Sequence, residues 1–236
     1  MRLKTSSRLS QILYKGMSRV PVMPFSGPYL LAISKEKRFV WFQVPKVATR
    51  TIHNHLKKNS VRLEKDRPGF LYYSPALYNR YLKFAFLRNP WDRLVSCWTD
   101  KVVNVNYFKF SDAELERMQR FENFVDFVER QEIETCDRHL RLQAKLVDLA
   151  NIDFLGRLEN FEEDFSHICQ RLDLDPGLIE RRNASAGRKS YQDYYDRPLR
   201  DKVADIYRRD VQTFGYRFSA TRSVAAIVFL LQFCVV

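Results

Sequence analysis

The chain has 236 residues, of which 45% are hydrophobic and 14% aromatic, and its formal net charge is +12. A chain of this length suits one sizeable domain, and its apolar content excludes wholesale disorder because it is sufficient to bury a core. The positive charge favours an anionic partner: nucleic acid, a phosphorylated cofactor, an acidic polysaccharide or an anionic membrane.

The first part of the chain predicts a strand, a turn and a helix behind a lead-in. Residues 1–35 are predicted to be a polar lead-in that contains three prolines and no apolar run of signal-peptide length. A strand rich in Val, Phe and Trp is predicted over residues 38–44, and a helix is predicted over Thr49–Lys58. Residues 72–80 are predicted to be a connection crowded with aromatic side chains.

A second strand and helix follow. The short apolar run LKFAFL, residues 82–87, predicts a strand that stops at Arg88. A helix is expected to begin at Pro90, because proline suits the first helical turn and apolar residues then recur on one face. Residues 121–129 predict another helix from apolar positions at i, i+3, i+4 and i+7, and residues 137–149 are predicted to be helical too.

The last part of the chain predicts a third strand over residues 152–155 and two more helices. The first is capped by Asn160, with acidic residues in its first turn, and the second covers residues 199–214 and ends at Gly215. Strands that alternate with helices predict an α/β domain with a parallel sheet, here over residues 36–219. In the apolar tail, residues 220–236, the uncharged stretch is shorter than the ~20 residues of a membrane helix. We predict a packed helix or strand there, with a membrane-surface contact as the alternative.

The stretch VWFQVPKVATRTIHNHLKK, residues 40–58, is typical of an anion site. A strand that turns into a helix N-terminus collects free backbone N–H groups, which attract phosphate or sulfate. Lys46 adds a charge there, and Thr49 and Thr51 add hydroxyl groups. The glycines and the Ser/Thr after the lysine of the ATP-type loop GxxxxGK[ST] are missing, which argues against an ATPase. Taken alone, the stretch is equally compatible with a surface lysine behind a strand.

The stretch KFAFLRNPWDRLVSCW, residues 83–98, repeats this arrangement. Arg88 stands at the end of the strand, and Ser96 follows two turns into the helix. An arginine there can bind a phosphate through two parallel hydrogen bonds. Because the carboxyl ends of neighbouring parallel strands share one edge of a sheet, Lys46 and Arg88 are expected to face one crevice. The alternative is an ordinary helix start with a solvated arginine.

Six segments together resemble the carbohydrate sulfotransferases of the Golgi and their bacterial relatives. PKVATRT, residues 45–51, resembles the family's 5′-phosphosulfate-binding loop, and LRNPWDRLVSCW, residues 87–98, resembles its 3′-phosphate-binding segment. The others are DRHLRLQ (137–143), FLGRLENFEEDF (154–165), NAS (183–185) and YRRDVQTFGY (207–216). The resemblance covers residues 39–218 in the right order. It implies a P-loop-like three-layer α/β fold with a central parallel sheet flanked by helices.

The resemblance implies transfer of a sulfuryl group from 3′-phosphoadenosine 5′-phosphosulfate to a hydroxyl of a carbohydrate or related acceptor. It implies that no metal takes part, and the four cysteines form no CxxC or Cys/His cluster of a structural zinc site. The implied donor-binding residues are Pro45, Lys46, Val47, Ala48, Thr49, Arg50, Thr51, Arg88, Ser96 and Arg188. Arg50 stands where the family usually has Ser or Thr, so a hydroxyl contact is lost while the backbone N–H remains and a guanidinium is added.

Lys46 and His139 are the implied catalytic residues. Lys46 is expected to neutralise the leaving phosphate, and His139, from DRHLRLQ, to act as general base because histidine titrates near neutrality. The alternatives are a histidine satisfied by packing, or Glu159 as the base. The acceptor is expected to be a carbohydrate, including anionic ones, with the tyrosines at 191, 194 and 195 as candidate stacking residues.

Three other functions stay open at this point. They are a nucleotide phosphotransferase of similar fold, a basic module that binds nucleotides or glycans, and a relative that binds the donor without catalysis. Nucleic acid is not the expected partner. Golgi members carry an N-terminal membrane anchor, and none is visible here. We therefore expect a cytoplasmic, bacterial-type enzyme, with the Golgi lumen or a membrane-associated location as the alternative if an anchor is missing from this chain.

Overall fold

The computed structural model describes residues 5–20, 23, 25–64, 69–178 and 189–219. In these ranges the strands are β1 (Ser26–Ser34), β2 (Phe39–Phe42), β3 (Gly69–Tyr73), β4 (Leu82–Leu87) and β5 (Phe154–Arg157). The α-helices are α1 (Arg8–Met17), α2 (Thr49–Lys58), α3 (Pro90–Trp98), α4 (Asp112–Met118), α5 (Phe121–Glu129), α6 (Phe161–Arg171), α7 (Arg197–Ile206) and α8 (Arg208–Phe214). No helix of these ranges is long and apolar enough to cross a membrane.

The strands form one sheet in the order β3-β1-β2-β4-β5. β2, β4 and β5 are parallel, with Val40 beside Lys83 and Phe84 beside Phe154. β1 is antiparallel to both β2 and β3. The predicted α/β fold with a parallel centre is therefore confirmed, and it carries an antiparallel edge in addition. The edge follows from chain length, since the four residues between β1 and β2 are too few for a crossover connection.

The sheet begins inside the segment predicted as a lead-in. β1 lies between β2 and β3, and its residues 30–33 are buried in the core. The prolines of residues 1–35 indicated a connection, but the apolar run after Pro28 pairs along its length with β2 and β3. The sheet therefore includes residues upstream of the predicted boundary at residue 36. The predicted tail, residues 220–236, lies outside the described residues.

The predicted helix over residues 137–149 is wrong. The segment consists of turns with one 3₁₀ turn at Gln143–Lys145. The carboxylate of Asp210 accepts hydrogen bonds from the backbone N–H groups of Gln143 and Ala144, at 2.7 and 2.9 Å. The guanidinium of Arg93 donates to the carbonyl oxygens of Arg138 and Arg141. These tertiary partners take backbone groups that a helix would pair internally, so the helical pattern does not prevail.

Smaller differences have similar causes. The predicted final helix is two helices, α7 and α8, which meet at the buried Tyr207. The Tyr207 hydroxyl donates to the carbonyl of Leu140, and this contact fixes the point where the helices meet. Part of the predicted connection over residues 72–80 is instead the end of β3, followed by a 3₁₀ turn at Pro75–Tyr78. β5 covers residues 154–157, two positions later than predicted.

Gly156 of β5 is a position where only a glycine fits. A Cβ there would lie 2.4 Å from the Phe86 ring, and that ring packs against Phe161 and Phe165 and cannot retreat. We expect Gly156→Ala to lower the free energy of unfolding by about 2 kcal/mol, as measured by urea denaturation. Gly16→Ala on α1 is the matched control: its Cβ meets nothing within 4 Å, and we expect a gain of about 0.5 kcal/mol. Equal stability of the two variants would contradict this packing.

Candidate active site

A cleft of about 660 Å³ opens beside the carboxyl ends of β2 and β4. It is lined by Leu30, Gln43, Pro45, Lys46, Ala48, Thr49, Arg50, Thr51, Arg88, Ser96, Asp100, Lys101, Arg138 and His139. Both strand-end cations face this space, as the parallel pairing of the two strands requires. The candidate base, His139, faces it too. Basic side chains outnumber Asp100, the acidic residue among them, so the cleft suits an anionic ligand.

The loop between β2 and α2 turns through two left-handed residues. Lys46 has φ 73° and Ala48 has φ 59°, and this conformation costs a non-glycine residue roughly 1–2 kcal/mol. The Thr49 hydroxyl donates to the carbonyl of Val44 at 3.0 Å and closes the loop. Ala48 is the N-cap of α2, so the N–H groups of the first turn have no partner within the helix. Strain of this kind is typical of functional loops, where the geometry serves a ligand.

Lys46 is held by an aspartate that the sequence interpretation missed. Its Nζ lies 2.9 Å from Oδ2 of Asp100, and Lys101 contacts the same oxygen at 3.4 Å. Arg50 lies 4.0 Å from Oδ1, the other oxygen of this carboxylate. Burial lowers the pKa of Lys46, and the bond to Asp100 opposes this shift. Burial acts to raise the pKa of Asp100, but Lys46 and Lys101 lower it overall. Asp100 follows Ser96 by four positions, a helical spacing that places both on one face. This spacing could have predicted that Asp100 lies near the site of Ser96.

Arg88 joins the two strand ends. Its Nη1 donates to the carbonyl of Lys46 at 3.0 Å, while Nε and Nη2 bind both carboxylate oxygens of Asp92 at 2.8 and 2.7 Å. The paired contact expected with a phosphate is therefore made with Asp92, which lies one turn along the chain. A guanidinium has more N–H donors than these contacts use, and Arg88 lines the cleft, so donors remain for an anion there.

Arg93 connects the strained loop to the segment that carries His139. It is 2% exposed. Its Nε donates to the carbonyl of Pro45 at 3.3 Å, and its Nη atoms donate to those of Arg141 and Arg138 at 3.0 and 3.1 Å. One buried side chain thus holds both walls of the cleft together. The sequence offered no signal for this role, because Arg93 lies on a helix face that resembled ordinary amphipathic surface.

His139 forms a pair with Asp137. Its Nδ1 lies 2.7 Å from Oδ1 of Asp137, whose other oxygen accepts from the Tyr107 hydroxyl at 3.1 Å. An ionised carboxylate only accepts, so Nδ1 donates and the neutral ring keeps its lone pair on Nε2. Burial lowers the pKa of His139 more than Asp137 raises it. Burial acts to raise the pKa of Asp137, but the bonds from His139 outweigh it and bring the value to about 2.

Several predicted residues lie elsewhere. Val47 is fully buried in the core, so only its backbone belongs to the loop. Glu159 is absent from the cleft lining: it accepts from the N–H of Asn89 at 2.6 Å, and burial raises its pKa. The tyrosines pack beside α3, with Tyr195 bonded to the Trp91 carbonyl and Tyr194 against the Trp98 ring. The residue at 188 and the NAS segment, 183–185, lie outside the described residues.

Gln43, Lys101 and Arg138 also line the cleft and were missed. Gln43 directly follows β2, and its buried Nε2 has no hydrogen-bond partner in the described part of the chain. An unused donor of this kind fits an anionic ligand. Within the same ranges, no group of three or more His, Cys, Asp or Glu side chains could hold a metal ion.

The chain is similar in sequence to known proteins. A family model described as "Sulfotransferase family" matches residues 30–217. Carbohydrate sulfotransferase 12 of Xenopus laevis is 25% identical over 169 residues, and carbohydrate sulfotransferase 9 of Homo sapiens is 27% identical over 169 residues. These matches cover 58% of this chain, and 40% and 38% of the two relatives, so the chain spans about two fifths of their length. No solved structure gives a significant match.

The Asp137–His139 pair makes a prediction about titration. Asp137→Asn removes a negative charge that favours the protonated ring, so the pKa of His139 should fall further below its usual value. NMR titration of the histidine ring protons measures this. His53, whose pKa burial lowers and which packs on Trp41, is the internal control and should not move. An unchanged or raised His139 pKa in the variant would show that the carboxylate does not act on this ring.

Proposed function

Because the chain belongs to the sulfotransferase family and is related to carbohydrate sulfotransferases, we propose that it transfers a sulfuryl group to a hydroxyl of a carbohydrate or related acceptor. The proposed donor is 3′-phosphoadenosine 5′-phosphosulfate. The observation that carries the proposal is the common cleft of Lys46, Arg88, Ser96 and His139. These residues come from three separate segments of the chain, with Arg88 and Ser96 on the same one, and each segment suits a different requirement of the reaction.

The 5′ end of the donor is assigned to the strained loop and the start of α2. The backbone N–H groups of the first turn of α2 have no acceptor within the helix, and a helix N-terminus favours negative charge. Lys46 supplies the full charge. The Thr49 hydroxyl already donates its hydrogen bond to the Val44 carbonyl. The backbone N–H groups and the Thr51 hydroxyl are therefore the groups proposed to donate hydrogen bonds to the 5′ end. Arg50 is 85% exposed at its side chain and 4.0 Å from Asp100, which suits a guanidinium that reaches an anion from the rim.

The 3′-phosphate is assigned to Arg88 and Ser96. Arg88 presents its remaining N–H groups, and its bond to Asp92 holds the guanidinium plane in place. Ser96 contributes a hydroxyl from the second turn of α3. A site of this composition distinguishes a ligand with a 3′-phosphate from one without, because loss of a charged partner leaves buried donors unpaired. Arg188 remains part of this proposal.

The proposed reaction needs a proton acceptor and a counter-charge for the leaving group. The donor supplies the sulfuryl group, and adenosine 3′,5′-bisphosphate leaves. His139, neutral because burial lowers its pKa, accepts the acceptor hydroxyl proton at Nε2. Asp137 stabilises the imidazolium that forms, because its carboxylate lies at the other ring nitrogen. Lys46 neutralises the charge that develops on the departing phosphate oxygen. The acceptor is proposed to be a carbohydrate, since that is the class named by the relatives.

Donor recognition is tested by calorimetry with adenosine 3′,5′-bisphosphate, AMP and ATP. The bisphosphate should bind at least roughly tenfold more tightly than AMP, because charged hydrogen bonds contribute ~1.5–3 kcal/mol. Ser96→Ala should reduce that preference while leaving AMP binding unchanged. Equal affinity for the three nucleotides would remove Arg88 and Ser96 from donor binding, and tight ATP binding that needs magnesium would favour a phosphotransferase.

Catalysis is tested by transfer of radiolabelled sulfate to a panel of glycans. Lys46→Ala should lower kcat by roughly 100- to 1,000-fold, as expected for loss of an electrostatic contact to the leaving group. Lys57→Ala is the matched control, since it removes the same charge from an exposed position on α2, the helix that follows the loop of Lys46. His139→Gln should lower kcat with little change in donor affinity. Wild-type rates in the Lys46 variant would contradict its role, as would an equal loss in the control.

A further inference from the structure

Helix α1 is attached to the fold by its polar residues. The side-chain amide of Gln11 donates to the Tyr72 carbonyl at 2.9 Å and accepts from the Tyr72 N–H at 2.8 Å. It thereby occupies backbone groups of the edge strand β3, which would otherwise be open to pairing. Ser10 and Tyr14 are buried on the same side of the helix. α1 is therefore a docked part of the fold, and its orientation is defined by specific hydrogen bonds.

The opposite side of α1 is apolar and exposed. Leu9, Ile12 and Leu13 are 70%, 64% and 58% exposed, and they stand at positions i, i+3 and i+4 of the helix. Leu77, 62% exposed, lines a groove of about 340 Å³ together with Leu9 and Leu13. We call these four residues the α1 outer face. A surface helix normally turns its apolar stripe to the core and its polar residues to water, and α1 does the reverse.

The charged residues of α1 are all basic. The first 34 residues of the chain contain five Lys or Arg and no Asp or Glu. Arg8 and Lys15 are exposed on α1 itself, and Lys35 lines the groove, where it is paired with Glu64 at 3.0 Å. A second copy of the chain would bring the same cations to the contact and be repelled. A bilayer with anionic headgroups matches both the apolar stripe and the surrounding charge.

We propose that α1 binds the surface of an anionic lipid bilayer. The helix lies in the plane of the surface, with the α1 outer face at the boundary between headgroups and acyl chains and with Arg8 and Lys15 at the headgroup phosphates. A helix of 10 residues with this few apolar side chains gives reversible attachment and does not cross the bilayer. This inference does not depend on the proposed function, because none of its residues lines the active-site cleft.

Vesicle co-sedimentation of the full chain tests the proposal. We expect binding to vesicles of phosphatidylcholine with phosphatidylserine, and much weaker binding to phosphatidylcholine alone. Leu9→Ser with Ile12→Ser and Leu13→Ser should lower binding by roughly tenfold or more. Arg8→Gln with Lys15→Gln should lower binding to the anionic vesicles alone, by roughly tenfold. The matched control is Val103→Ser with Val105→Ser, which removes exposed apolar side chains away from α1 and should bind as the wild type does.

Because the substituted residues are exposed, all variants should keep the wild-type circular dichroism spectrum and melting temperature. Failure of the wild type to sediment with either vesicle would overturn the proposal, and so would an equal loss in the Val103/Val105 control. Unchanged binding of the triple variant would assign the lipid contact to another segment. A wild-type dimer that the triple variant converts to a monomer in light scattering, without vesicle binding, would assign the α1 outer face to a second copy.

Discussion

The structure of the cleft depends on the hydrogen bonds of one buried group, the guanidinium of Arg93. It donates to the carbonyl oxygens of Pro45, Arg138 and Arg141 at once. Because the Arg93 side chain is buried, each of its N–H groups left without a partner would cost about 1–3 kcal/mol. The strained loop and the histidine segment are not neighbours in the chain, and neither is a regular element. Their separation is therefore set by hydrogen bonds to one rigid planar group carried on α3. A flexible lysine ammonium would not hold three directions in the same way.

A second polar network holds the histidine segment on the side away from the cleft. The side-chain amide of Gln143 exchanges two hydrogen bonds with the backbone of Arg88, and Asp210 of α8 fixes the backbone of Gln143 and Ala144. Buried polar groups are stable only when all of their partners are present, so such a network specifies one arrangement. The segment from Asp137 to Ala144 is consequently irregular but well defined. It presents His139 to the cleft while its other side is bonded to Arg88, directly after β4, and to α8.

The charge of Lys46 is balanced by Asp100 before any anion enters. Lys46 is only 11% exposed at its side chain, and a buried cation without a partner would be costly. Asp100 supplies the partner from the π-helical turn Thr99–Val103 that extends α3. Lys46 is therefore oriented by Asp100 without an anion in the cleft. The remaining cations, which include Lys101, Arg138 and Arg50, leave the cleft attractive to negative charge at longer range.

The sequence by itself determined the family, the parallel centre of the sheet, the bounds of α2, β4 and α5 and the start of α3. These features follow from local patterns: apolar runs, helical spacing and a proline at a helix start. The ordered motifs also identified Lys46, Arg88, Ser96 and His139, which line the cleft. Lys46 and Arg88 meet there because strand-end residues of parallel neighbours share an edge. Only the tertiary structure decided the rest. Asp100 and Arg93 act through partners distant in sequence. The carboxylate of Asp92 binds two N–H groups of the Arg88 guanidinium. Residues 137–149 do not form a helix because Asp210 and Arg93 bind their backbone groups. The polar side of α1 faces the protein because Gln11 bonds to β3, a contact between residues 61 positions apart that no local pattern contains.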